Sequence, residues 1–584
     1  MADNFISFLI FAPLVAILII LLIPSSKSSL YKYITLFTTV FQLAIALAIL
    51  NGYLYKGEAV PQGVNIETGF QFVEKYNWID LNLGTLGKLS IDYFVGLDGL
   101  SIGMLLLTVF VLIGGVISSW NIQENIKGYF VLYLLLCTSI IGCFVALDFF
   151  LFYLFFELLL LPMYFLIGMW GGPRREYASI KFFLYTLAGS IFILIVMIAL
   201  YFSVIDPVET AIAMDLIKEA GEADPELINR LQQLLAAGEI GNAQKVHTFN
   251  ILYMMDSRNY IPGSILHLAS STFIFGEPVR LAAFMALMIG FAIKLPSFPF
   301  HTWLPDAHVE APTPISVLLA ALLLKVGAYG ILRIPYSIFP EGAIHYAWLI
   351  GLVGVISIIY GAFNALAMKD IKKLIAYSSV SHMGFVLLGI ASATSEGING
   401  AIFQMFSHGI LSALLFLIAG VLYDRTHDRE IENYRGLASK MPSYTIIVTI
   451  AFFASLGLPG FSGFIGELFI LLGAFNSAAV NDLLPRWMAI VAAIGILLGA
   501  VYYLWTLQKM FFGKFWTKEA SNWNILKDLT NRELVLLVPL VIATIVFGIF
   551  PGLFFDLISP SAGKLVEIIN TTGKANLELV KSLK

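Results

Sequence analysis

The fold class predicted by this sequence is an all-α polytopic membrane protein of about fourteen transmembrane helices, built as two inverted five-helix repeats with broken helices 7 and 12. Three observations predict it. Of 584 residues, 59% are hydrophobic and 12% charged, and the mean hydropathy is +0.87, far outside the soluble range. Apolar runs of roughly twenty residues, the length of a bilayer crossing, recur along the whole chain. Two of these runs are interrupted by proline and glycine at corresponding places in the two halves, the best sequence pointer to a transporter built from inverted repeats.

The first span, 5–23, follows MADN rather than a basic segment and has no small-residue cleavage motif, so it reads as retained. Further spans are expected at 31–50, 98–120, 128–147, 149–170 and 177–203. The second half of the pattern gives 281–295 with a broken continuation, 313–332, 346–367, 372–393, 399–423, 443–475 with a break, 487–511 and 533–555. Pairing spans four to eight with nine to thirteen puts each broken helix fourth in its set. The chain thus divides into two N-terminal helices and an outer loop (1–97), helices 3–6 (98–203), an extramembrane insertion on the outer side (204–279), broken helix 7 to helix 11 (280–423), broken helix 12 to helix 14 (424–555) and a C-terminal tail (556–584). Within the insertion, DLIKEAGEADPELINRLQQLLAAGE alternates leucines with charges and reads as one or two surface helices broken near Pro225.

Loop charge sets the orientation. If the N-terminus is outside, the inside loops collect Lys127, Arg174, Arg175, Lys181, Lys369, Lys372, Lys373, Arg425 and Arg429, among others. The outer loops hold only Lys56, Lys75, Lys88, Arg333 and Arg486. The positive-inside rule then places both termini on the outer, periplasmic side of a bacterial inner (plasma) membrane. Cys137 and Cys143 share one apolar run on different helix faces and cannot form a zinc or iron–sulfur site. No dinucleotide fingerprint or P-loop is present, so the energy for transport must come from partners. No nucleic-acid partner is expected.

The ionisable residues inside the spans carry the chemistry. Lys294 ends an apolar run in FAIKLPSFPFHTWLPDAH, where Pro296 and Pro299 break the helix; the freed backbone groups at that depth need protein or water partners. Lys325, in LLLKVGAYG, lies roughly 16 Å along a helix beginning near Pro314. A charge at that depth costs about 2.5–3.5 kcal/mol, so two in adjacent spans read as proton-exchanging amines rather than idle ones; structural pairing or snorkelling is the alternative. Glu157 stands alone in the fifth span. Glu467 follows the second break, at LGLPGFSGFIGE around Pro459, and reads as the last proton-holding site. His382 and His408 fall between Lys325 and Glu467 and are possible relays, because imidazole titrates near neutrality. Ser316, Ser378, Ser381 and Ser407 are candidates to hold bridging waters. His301 and His308, with Asp306 and Glu310, are expected to cap the broken helix and line a half-channel, not to bind metal. Asp148 reads as an interfacial helix cap.

The run KLPSFPFHTWLPDAHVEAPTPIS followed by LLKVGAYG resembles the signature of the antiporter-like membrane subunits of respiratory complex I, the proton-pumping NADH:quinone oxidoreductase; Mrp-type cation/proton antiporters share it. Glu467, where L-type and Mrp chains usually carry lysine, and a tail without a long apolar lateral helix resemble the M-type (chain 4) branch. The resemblance implies proton translocation through a central hydrophilic axis of buried Lys, Glu and His, coupled to quinone reduction elsewhere in the complex. It implies that the fifth and seventh helices touch, making Glu157 and Lys294 a switchable ion pair, or else a static one. It also implies that this chain holds no cofactor: FMN, iron–sulfur clusters and quinone belong to partner subunits, and the immediate partners are other membrane subunits, above all neighbouring antiporter-like chains, and the lipid bilayer. A Mrp-type antiporter subunit, or the membrane arm of a related hydrogenase, is the alternative.

Overall fold

The computed structural model describes residues 4–55, 69–82, 88–519 and 525–583. Among them, thirteen helices are long and apolar enough to cross a membrane. In chain order the crossings begin with α1 (Phe5–Leu22), α2 (Ser28–Tyr55), α3 (Gly99–Ser118), α4 (Ile126–Val145), α5 (Phe149–Leu158 and Leu160–Trp170) and α6 (Arg175–Ser203). Next comes α7, in two pieces, Val279–Lys294 and Trp303–Glu310, each shorter than those thirteen. It is followed by α8 (Thr313–Leu318 and Leu324–Arg333), α9 (Ala347–Ala367), α10 (Ile371–Ala391) and α11 (Ser395–Thr426). Broken α12 (Pro442–Ser455 and Ser462–Val480), α13 (Arg486–Phe511) and α14 (Asn531–Ile549) complete the bundle.

Local chemistry sets many of the helix starts. Asp98, Asp148, Asp370, Thr394 and Thr530 each accept a backbone N–H of the first turn of α3, α5, α10, α11 and α14, and Thr530 forms a capping box with Glu533. Asp148 is thus the cap expected of it. Two irregularities were not anticipated. In α5, Pro162 has no N–H for the Leu158 carbonyl, and the helix is interrupted at Leu159. In α8, a π-turn at Leu319–Leu323 separates the two α-helical pieces.

The helices sort by burial. The most apolar windows of α8 and α11 are 100% buried and that of α10 is 94%, against 39% or less for α1, α2, α6, α13 and α14. α8, α10 and α11 therefore form the centre, and polar side chains on them face protein rather than lipid.

The loop between α2 and α3 contains an antiparallel hairpin, β1 (Gln71–Asn82) and β2 (Lys88–Leu97), extended in parallel by β3 (Val246–His247) from the insertion. This strand pair was not foreseen, because the segment reads simply as a polar loop. The expected surface helices are present as Pro207–Ala213 and Pro225–Ala237, with Asp224 capping the second. They close a small apolar core of Ile205, Ala211, Leu231, Leu235 and Ile240. Lys75, counted above as an outer loop charge, instead pairs with Asp92 at 3.1 Å and Asp206 at 3.9 Å, clamping the hairpin to the insertion. Arg333 is likewise buried, pairing with the α3 cap Asp98. Lys56 lies outside the described residues.

The C-terminal segment also departs from expectation. Instead of a span to 555 followed by a tail, α14 ends at Ile549, and a new helix, α15 (Gly552–Ile568), runs through a π-turn into Lys574–Lys581. Ser561 Oγ accepts the Gly99 amide at 2.9 Å, and Asn570 donates to the Ala393 carbonyl at 2.9 Å. The helix thus straps the start of α3 to the α10–α11 loop.

Candidate functional site

The break in α7 is closed by protein groups. Ser297 donates through both N–H and Oγ to the Ala292 carbonyl at 3.1 Å, and Trp303 Nε1 donates to the Ile293 carbonyl at 2.8 Å. The capping role expected of His301 and His308 therefore falls to Ser297 and Trp303. Pro296 lies in this break. His301 packs against the Tyr360 ring at 5.0 Å and His308 stacks on Phe416 at 4.5 Å, both with ring nitrogens that have no hydrogen-bond partner. Asp306 and Glu310 hold the start of α6 and its preceding loop: Lys181 lies 2.8 Å from Asp306, and Glu310 accepts the Arg174 amide at 3.0 Å.

Lys294, the last residue of the first piece of α7, is 1% exposed. Its ammonium donates to the Phe156 carbonyl at 3.2 Å and lies 3.6 Å from the centroid of the Phe156 ring. α5 and α7 therefore do touch. The Glu157–Lys294 ion pair, however, is not formed: Glu157 Oε1 is buried without a hydrogen-bond partner. The ammonium is instead taken up by the carbonyl and ring of Phe156, the residue next to Glu157 in the first piece of α5, which ends at Leu158.

Lys325 heads a continuous row. It is fully buried, just after the α8 π-turn; such turns recur at functional sites because the extra residue re-aims the side chains that follow. Its Nζ donates to the Ala320 carbonyl at 2.7 Å and lies 2.7 Å from His408 Nδ1 on α11. The His408 ring centroid is 5.4 Å from that of His382 on α10. His382 Nδ1 lies 3.0 Å from Glu467 Oε1 on the second piece of α12. The amine, two imidazoles and carboxylate thus follow one another across four helices.

The row passes one small cavity. A cavity of about 10 Å³, the space of roughly one water centre, is lined by His382, His408, Gln404, Ser378, Ser455 and Tyr503. Ser378 is the one predicted serine placed there; Ser316 bonds the His308 carbonyl, Ser381 the Ile358 carbonyl, and Ser407 the Ser462 hydroxyl. The α12 break, Leu456–Phe461 with Pro459 inside it, places Gly457 against Glu467. Gly457 has φ +79°, and a Cβ there would stand 2.9 Å from Glu467 Oε2.

Sequence reasoning missed Gln404, whose amide nitrogen lies 3.5 Å from His382 Nδ1, because one glutamine in an apolar run has no partner visible in the chain. It also missed Lys372, assigned to a loop but 2% exposed. The only sign was its place one residue inside α10, after the Asp370 cap.

Comparison with known proteins shows the family of the chain. Residues 146–206 and 246–498 match the family model for the transmembrane part of the NADH:quinone oxidoreductase/Mrp antiporter proteins, and the match skips most of the insertion. The chain is 39% identical over 570 residues to NADH-quinone oxidoreductase subunit M of Rhodobacter capsulatus, covering 97% of both. Its fold is similar to a chain of respiratory complex I from Thermus thermophilus, with TM-score 0.72, 27% identity, and 97% and 99% of the two chains covered. It is similar in fold to a chain of a Dietzia Mrp complex, with TM-score 0.72, 19% identity, and 99% and 100% covered.

Proposed function

The chain belongs to the NADH:quinone oxidoreductase/Mrp antiporter membrane family, in its subunit M branch, and from that premise we propose that it translocates protons in the membrane arm of an NADH:quinone oxidoreductase. The observation that carries this reading is the Lys325–His408–His382–Glu467 row. A protonated Lys325 gives its proton to His408 Nδ1. The imidazolium passes one on to His382 across the intervening cavity, which has room for about one water. His382 delivers it to Glu467, which releases it to the outer side. Each donor and acceptor is of a type that exchanges protons without covalent chemistry.

Glu157 and Lys294 act as the coupling element. Closing the pair holds the lysine charged, and the open arrangement, with Glu157 Oε1 unpartnered, frees it to lose its proton. Quinone reduction, FMN and iron–sulfur clusters belong to partner subunits, with neighbouring antiporter-like chains adjacent. The termini lie on the outer side of a bacterial plasma membrane, a placement supported by the basic residues of the α9–α10 and α11–α12 loops.

The test is NADH-driven proton uptake by the whole complex in proteoliposomes. Lys325→Met in an assembled complex should lower protons moved per electron by about tenfold or more, the scale of removing a positioned proton-transfer group. Native pumping by that variant would end the reading. Co-purification with an FMN and iron–sulfur partner separates this function from a cation/proton exchanger of the same fold.

A further inference from the structure

Two side chains compete for one nitrogen. His382 Nδ1 lies 3.0 Å from Glu467 Oε1 and 3.5 Å from the amide nitrogen of Gln404. A ring nitrogen has one hydrogen-bonding position, and its protonation decides the partner: as N–H it donates to a carboxylate, and as a bare lone pair it accepts from an amide or from a protonated acid. The shorter contact is a full hydrogen bond and the longer one is at the limit of one. The nitrogen is thus held by Glu467, with Gln404 standing beside it.

Gln404 is 1% exposed, its Oε1 has no hydrogen-bond partner, and the contact with His382 is the only hydrogen bond of its side chain among the described residues. A primary amide carries two donors and an acceptor, and burying one so sparsely matched is costly if it only fills space. The helices nevertheless leave room for it. Gln404 precedes His408 by one turn of α11, so the two side chains leave that helix on one face, and both meet His382. On the second piece of α12, Gly466 comes immediately before Glu467, and a Cβ there would overlap Gln404 Oε1. The amide and both imidazoles border the same cavity of about 10 Å³.

We propose that Gln404 is a positioning residue that acts through His382 as a gate against backflow, its amide taking the Nδ1 lone pair each time a proton has passed to Glu467. This rests on the function proposed above. The proton leaves Nδ1 of the His382 imidazolium for a Glu467 oxygen, so that ring and acid are both neutral and Nδ1 is bare. Left unguarded, Nδ1 would accept the same proton back. With a Gln404 N–H donating to it, the ring offers Glu467 no free base, and the acid returns to carboxylate by losing its proton to the outer side. The next proton, arriving from the His408 side across the cavity, displaces the amide and restores Nδ1–H. A glutamine kept for packing alone is matched by methionine, which has nearly its length and volume and no N–H.

The readout is passive proton backflow through the assembled complex in proteoliposomes, with the outer side made acid and no NADH present. Gln404→Met keeps the shape and removes the donor, while Gln404→Asn keeps the amide and withdraws it from Nδ1 by one methylene. Each should raise backflow by about tenfold, the scale of one net hydrogen bond. Adding Lys325→Met should close that leak, because it runs through the row. Native backflow in either assembled variant would overturn the assignment, and so would a leak that persists with Lys325→Met, the mark of loosened packing. Native NADH-driven pumping by Lys325→Met alone would instead overturn the function beneath it.

Discussion

Glu467 and Glu157 show how much a single partner changes a carboxylate. Both are lone acids in apolar helices, but Glu467 meets His382 at 3.0 Å, while Glu157 leaves one buried oxygen without a hydrogen-bond partner. A third acid, Asp148, lies outside the spans and can be followed by titration. Burial, with the Asp92 charge beside it, raises its pKa to about 7. A folded-state value above the unfolded one means the folded chain holds this proton more tightly. That contribution is therefore complete below about pH 4 and is lost as pH rises toward 7. Asp148→Asn keeps the cap and removes the charge. Thermal unfolding in detergent should show the variant more stable than the parent by roughly 2–4 kcal/mol at pH 8, with the gap closing near pH 4.

At the scale of the element, breaks and close approaches position these residues. The two proline-marked breaks in α7 and α12 are legible in the sequence because proline removes a donor wherever it falls. The π-turn before Lys325 has no such mark: AALLLK carries no proline or glycine, and only packing against α11 and α3 selects that geometry. Gly327, two residues further on, lets α8 approach the end of the first piece of α7; a Cβ there would stand 2.8 Å from the Leu295 amide and 3.1 Å from the Lys294 carbonyl carbon. Gly327→Ala should force the helices apart, costing about 1–3 kcal/mol in thermal unfolding. Gly563→Ala on α15, where a Cβ meets nothing within 4 Å, should be neutral or stabilising.

Across the whole molecule, the C-terminal helix joins the two halves. Phe554, Leu557, Ile558 and Leu565 are buried, and Asn576 Nδ2 reaches the Glu341 carboxylate, which in turn holds Arg280 at the start of α7 at 2.6 Å. Each buried apolar side chain is worth about 1.5–3 kcal/mol where the alternative is water, so the strap contributes several. A chain ending at Pro551 should unfold at a clearly lower temperature, and protection of the α3 and α10–α11 amides from hydrogen exchange should fall with it. Unchanged protection there would mean the strap is not holding the two halves.

The sequence by itself determined the order of the apolar crossings, the places where two of them break, and that Glu157, Lys294, Lys325 and Glu467 lie within them. Length, hydropathy and proline chemistry act locally, and the cost of a buried charge does not depend on which helix lies beside it. Only the tertiary structure decided who meets whom. Lys325 found His408, Lys294 found the Phe156 carbonyl rather than Glu157, and Lys372 left its loop for the interior. Those outcomes depend on helix rotation and contact at ångström precision, set by many weak packing terms between segments far apart in the chain, and no local pattern of residues encodes that sum.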